Sequence, residues 1–257
     1  MAGFLGMGGY AKPGKGVKRN RPEKKRFFQF FELYFRKFGS MLKLNLLYLL
    51  YCLPIVTIGP ATAALIQLSK YYCEEKPVFL LSDFWSAFIS NFKQGFIMSL
   101  IDAVFIFLFY EGFLFYYART VQNWLYWIPM VILVILAVLL AFMNFYAYLM
   151  MVSIQLNMWS LLKNSLMMCA LGAKTNWLTL IFTALLLFPS ILFFPLSILL
   201  VLTVTFSMTA MIICFNSFQY IYRYLIKPYY DQNGLENPYE REEDYDPEDV
   251  IFRDMTE

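Results

Sequence analysis

The sequence predicts an all-α fold, a polytopic helical membrane bundle of four long spans with an N-terminal hairpin of broken helices and with cytoplasmic amphipathic helices. Three observations predict it. Of 257 residues, 60% are hydrophobic and 15% charged, with a mean hydropathy of +0.55; a soluble domain carries roughly a quarter charged residues. Four apolar segments hold nineteen or more residues each, enough to cross a hydrocarbon core of about 30 Å at about 1.5 Å per residue. One threading of the chain places 20 of its 21 Lys and Arg residues on a single side, as the positive-inside tendency requires.

Residues 1–26 read as a disordered basic head rich in Gly, Pro and Lys. Gly9 to Lys15 fits the spacing of a phosphate-binding loop, but Gly16 stands where Ser or Thr would bind magnesium, and no strand precedes it. No nucleotide or other cofactor is expected there. Nor is nucleic acid an expected partner, because lipid phosphates lie closer to the basic head. Next, Phe27, Phe30, Phe31, Tyr34 and Phe38 recur at helical spacing, with Gln29, Glu32 and Arg36 opposite. That describes a helix lying in the membrane interface.

A membrane domain is expected over residues 27–226, with hairpins at about 40–75, 95–150 and 176–222. The first contains LPIVTIGPATAAL, residues 53–65. As one continuous helix, residues 40–69 would measure about 45 Å, too long for one upright span and short for two. A single crossing would divide the Lys and Arg residues between both faces. A turn at Pro54, Gly59 and Pro60 leaves Arg119 alone on the far side, so a hairpin with both chain ends cytoplasmic is expected. Thr57 and Thr62 are placed to bond backbone groups freed at the break.

The long spans follow at about 95–118, 124–148, 176–194 and 195–222, the last two separated by Pro189 and Pro195. That turn is nearly devoid of polar side chains, so it should sit at the interface or be covered by protein. Before each long hairpin stands an amphipathic stretch: FWSAFISNFKQ from Phe84 and MWSLLKNSLMMCALG from Met158. Their shared plan, an interfacial helix followed by a transmembrane hairpin, suggests a faint internal repeat. Residues 227–257 form an acidic cytoplasmic tail; residues 228–257 hold eleven Asp and Glu against two Arg. A solvated tail is the expected state.

The runs LNLLYLLYCLPIVTIGPATAAL (residues 44–65), SNFKQG (residues 90–95) and KNSL (residues 163–166) resemble the YesL-like family, small membrane proteins of undefined activity common in Gram-positive bacteria. The resemblance spans roughly residues 25–225 and leaves both charged ends outside. It implies an association with carbohydrate uptake by ABC importers, and it implies no catalytic or ligand residues.

Asp102 and Glu111 are the acidic residues deep in a long apolar segment, where an ionisable group marks a candidate functional site. Nine positions separate them, about 13.5 Å along a helix and on opposite faces, so they form no acid/base pair. Asp102 shares a stripe with Gly95 and Ser99, which suits close helix packing and an interhelical hydrogen bond; a substrate or proton site is the alternative. Glu111 can reach towards Arg119. The four cysteines are scattered and histidine is absent, so no metal set and no His-based nucleophilic triad is expected. The aromatic residues near Trp124 suit an interfacial belt.

Two surfaces are candidates for docking a partner: Trp85, Phe88, Phe92 and Lys93 on the first amphipathic stretch, and Trp159, Leu162, Lys163 and Leu166 on the second. An accessory or regulatory subunit acting with sugar ABC transporter subunits or a membrane-bound regulator is the leading reading. A small-solute transporter is the alternative. An enzyme is not expected, since no catalytic constellation is present.

Overall fold

The computed structural model describes residues 26–121, 123–154, 156–234, 237 and 239. The basic head, its Gly9–Gly16 loop and most of the acidic tail lie outside these residues. All regular structure among them is helical. The first compact unit contributes one described helix, α1 (Arg26–Arg36), whose residues Phe27, Phe28 and Phe35 are exposed.

The second unit carries the bundle. It comprises α2 (Phe38–Tyr51), α3 (Ile58–Cys73), α4 (Leu80–Ser90), α5 (Phe92–Thr120), α6 (Trp127–Ser153), α7 (Met158–Leu171), α8 (Ala173–Leu192) and α9 (Ile198–Asn233). Four helical stretches, Phe92–Thr120, Trp124–Ser153, Ala173–Leu192 and Ile198–Asn233, are long and apolar enough to span a membrane. This architecture fits a multi-pass membrane protein. Each of these stretches extends beyond a bound read from the sequence at one end or both, and α9 runs seven residues into the segment assigned to the tail.

The break between α2 and α3 lies where the sequence places it. A 3-10 turn spans Ile55–Thr57, and Thr57 donates its hydroxyl to the carbonyls of Tyr51 and Pro54, both at 2.6 Å. Thr62 likewise bonds Ile58 O at 2.8 Å. Pro60 sits in the first turn of α3, where its missing N–H costs no helical bond. Helices of 14 and 16 residues measure about 21 and 24 Å, so neither alone matches a core of about 30 Å.

α3 is the centre of the bundle, packed against α2, α4, α5, α6 and α9. It is buried on every side, and Ala61, Ala63 and Ala64 let neighbouring backbones approach. The closest crossing is with α5. A Cβ on Gly59 would strike the carbonyl of Gly95, and one on Gly95 would lie 2.8 Å from Pro60 N. The Gly95 end of the stripe is therefore a helix contact, as its composition predicts. By contrast, the outer stretches of α5 and α6, around Val104–Leu108 and Val131–Leu136, are exposed and suit lipid.

Pro189 does not terminate its helix. It lies inside α8, and the break comes at residues 193–197. Phe193, Phe194 and Leu196 are exposed there, so none of the described residues covers the turn. α9 widens into π turns at Val201–Thr205 and Tyr222–Ile226. The second ends two residues before Pro228, whose ring would clash with the carbonyl four residues back in a regular α-helix.

Candidate functional site

Asp102 is half-buried on α5 and faces α6. Its Oδ1 accepts from Asn144 Nδ2 at 2.9 Å and its Oδ2 accepts from Tyr148 Oη at 3.4 Å. Asn144 and Tyr148 lie one turn apart on α6, so one helical face presents both donors. The expected interhelical hydrogen bond is present. Both donors are neutral, and Asp102 makes no ion pair among the described residues. The Asn144 Oδ1 is buried without a hydrogen-bond partner there.

The other members of the predicted polar site lie apart from this pair. Ser99 bonds its own helix at Phe96 O (2.9 Å) and sits against the Gly59 crossing. Glu111 is exposed. Arg119 folds back on α5, donating to Phe115 O at 3.2 Å with its guanidinium carbon 3.5 Å from the centre of the Phe115 ring. No Glu111–Arg119 ion pair occurs among the described residues.

The two predicted docking surfaces differ. On α4, Trp85 is 51% exposed, but Phe88 is 7% exposed and packs under Tyr51, with ring centroids 5.1 Å apart. Phe92 and Lys93 fall on the first turn of α5, because the chain breaks at Asn91. The expectation of one continuous amphipathic face over residues 85–93 is therefore corrected: Trp85 remains its exposed anchor. α7 fits the expectation better. Trp159 is 78% and Leu166 50% exposed, Lys163 is also exposed, and Leu162 is half-buried. The opposite face packs through Leu161, Ser165 and Met168.

Three further polar constellations join residues far apart in the sequence. First, buried Asn45 of α2 spans the π turn of α9: its Nδ2 donates to Val201 O (2.9 Å) and Leu202 O (2.8 Å), and its Oδ1 accepts from the amides of Phe206 and Ser207, both 3.0 Å. One amide thus fills a gap between carbonyls and amides five residues apart. Second, Tyr146 donates to Asn176 Oδ1 at 2.6 Å, and Asn176 donates to Cys169 O at 3.1 Å, tying α6 to the α7–α8 joint. Gly172 leaves the space, since a Cβ there would strike the Tyr146 hydroxyl.

Third, Lys70 at the end of α3 is only 3% exposed. Its ammonium lies 3.7 Å from Glu74 Oε1, 3.2 Å from the Tyr239 hydroxyl, and 4.8 and 5.1 Å from the ring centroids of Phe218 and Tyr239. Lys76 reaches the same Glu74 at 2.7 Å and lies 5.3 Å from the Tyr239 ring. Partial burial disfavours the Lys76 ammonium, but the Glu74 carboxylate outweighs it and raises its pKa above the ordinary lysine value. A buried amide or lysine in an apolar chain must find partners, and that requirement was the available signal for these constellations.

Among the described residues no group of three His, Cys, Asp or Glu side chains is placed to hold a metal. Residues 41–113 match the model of a family described as a protein of unknown function, DUF624. The match takes in the α2–α3 hairpin, α4 and α5 as far as Phe113, less than a third of the chain. It includes Trp85 and Asp102 but neither Asn144 nor Trp159. Comparison with curated proteins and with solved structures found no match.

Proposed function

We propose that this chain is an accessory or regulatory membrane subunit, of the YesL-like kind, that works with a carbohydrate ABC importer and presents α4 and α7 to it from the cytoplasmic side. One observation carries the docking part of the reading. α7 is a short helix held by one face, while its other face offers an exposed indole, a leucine and a lysine, the anchor spacing of a helix seated in a partner's groove. Trp85 on α4 supplies a second exposed anchor. The interior supports the same reading. Asn45, Asn176 and Asp102 are engaged in hydrogen bonds between helices, the pattern of a packed bundle. Association with sugar uptake rests on the family resemblance alone. The cytoplasmic placement of both ends rests on the lysine and arginine count. No catalytic step is proposed.

Purification from native membranes in mild detergent tests this. A stoichiometric importer subunit should accompany the wild-type chain and be lost from the Trp159→Ala, Lys163→Glu double variant, with membrane insertion unchanged. A chain that purifies alone would count against the reading. A second reading, a small-solute transporter, is favoured by Asp102 and the unpartnered Asn144 Oδ1 beside it. Solute uptake by liposomes holding this chain as their sole protein would establish that reading instead.

A further inference from the structure

The lysine-bearing end of α3 holds a pocket that the reading above does not use. Its walls are Lys70, Lys76 and Glu74, with Phe218 and Tyr222 of α9, and its occupant is Tyr239, a residue from beyond the end of α9. Tyr239 accepts from Lys70 at 3.2 Å and packs tilted against Phe218 and edge-on to Tyr222, with centroid distances of 5.6 and 6.2 Å. Asn237 steers it, accepting from the Tyr239 amide at 3.1 Å and donating to the Tyr222 hydroxyl at 3.1 Å. The helix stops before this point, at Gly234 in the left-handed conformation (φ 60°). The tyrosine thus lies beyond the end of the helix.

Two features suit this site to exchange of its occupant. Two ammonium groups share the Glu74 carboxylate, so the pocket favours an acidic visitor, and nine Asp and Glu follow Tyr239 in residues 240–257. Moreover, withdrawal of Tyr239 would open Lys70 to water on the vacated side while Glu74 stays beside it, so the empty state leaves no charge buried without a partner. Contacts of this kind open locally, well below the cost of global unfolding.

We propose that the Lys70–Lys76–Phe218 pocket is a recognition site for an acidic, tyrosine-bearing peptide segment, which the chain's own tail fills in cis and a partner segment of the same chemistry fills in trans. The importer assignment is not needed for this. The tyrosine supplies the ring for both ammonium groups and a hydroxyl acceptor for Lys70, and the acidic residues supply long-range attraction.

The probe is a fluorescein-labelled peptide of residues 235–257, titrated into the full-length chain in mild detergent and followed by anisotropy. It should bind the Tyr239→Ala chain at least tenfold more tightly than the wild type, whose tail competes. Peptide carrying Tyr239→Ala should lose at least tenfold, as should the original peptide on a Tyr239→Ala, Lys70→Gln chain. Equal binding to wild-type and Tyr239→Ala chains, or equal binding of the two peptides, would overturn the proposal; the latter result would mean attraction by charge alone. A second measurement needs no vacated pocket. Excess unlabelled peptide with every Glu replaced by Asp, which keeps its charge and removes its own cleavage sites, should speed cleavage of the wild-type chain at Glu236 by a glutamate-specific protease severalfold, and unchanged cleavage at saturating peptide would also overturn it.

Discussion

Replacing Asn45 with leucine keeps the branched outline of a buried side chain and removes all four of its hydrogen bonds to α9. Side-chain hydrogen bonds between membrane helices average about 0.6 kcal/mol each, so four amount to about 2.4 kcal/mol. The π turn sets the upper side of that figure. If the carbonyls of Val201 and Leu202 cannot close onto the amides of Phe206 and Ser207 once the amide is gone, each group left bare costs about 1–3 kcal/mol. If they close, α9 shortens locally and Tyr48 loses its seat against Phe206, where the ring centroids are 5.2 Å apart. Either way the hold of α2 on α9 weakens. For a chain of this size about 2.4 kcal/mol corresponds to a drop in Tm of roughly 5–10 °C, measurable by circular dichroism in mild detergent. Asn45→Asp discriminates the two ends of the clamp: a carboxylate still accepts from both amides but faces two carbonyls without a proton to offer, so it should destabilise too. A Tm for Asn45→Leu within about 1 °C of wild type would refute the clamp, because the π turn would then be satisfying its own backbone.

Two further outcomes follow from helix packing, and a third from the lysine and arginine count. Asp102→Asn keeps a polar group opposite Asn144 and Tyr148 and should leave folding and partner binding intact, whereas Asp102→Leu should cost on the order of 1 kcal/mol in a melting experiment; loss of function in a folded Asp102→Asn chain would show that the charge itself is used. Gly172→Ala should destabilise by about 1–3 kcal/mol through collision with Tyr146, and adding Tyr146→Phe, which removes the struck hydroxyl, should recover part of the loss; strict additivity of the two would show that they do not touch. Single cysteines at Gly16, Glu75 and Gln232, in a background lacking the native four, should all resist an impermeant thiol reagent in intact cells and react after permeabilisation; labelling of position 16 but not 75 in intact cells would restore a single crossing for the first hairpin.

What was legible in the sequence were features set by local composition. The four spans follow from length and hydropathy, and the hairpin break follows from Pro54, Gly59 and Pro60. The Gly95 contact follows from a stripe of small residues, and its partner Gly59 stands out in the sequence only as part of the hairpin break. The boundaries moved where tertiary contacts override local signals: α8 carries Pro189 within its last turn, and α4 ends at Asn91, which assigns Phe92 and Lys93 to the spanning helix. Long-range pairings were not legible. Nothing near Asn45 announces that its partners lie more than 150 residues away. Lys70 and Lys76 read as topology markers and Tyr239 as one residue of a solvated tail, because only the folded chain brings α3, α9 and the segment after Gly234 together. Phe88 shows the converse, since an aromatic at the right spacing for an exposed anchor is taken by Tyr51 of the preceding hairpin.

Whether α7 meets a protein or only lipid is decided most directly by placing a photo-crosslinking amino acid at Trp159, the most exposed anchor of that helix, in living cells. The account predicts a discrete crosslinked species containing an importer subunit or its regulator, lost when Lys163 is reversed to Glu. Crosslinks to lipid alone from position 159, with the protein correctly inserted and abundant, would contradict the docking role and leave α7 as an interfacial helix.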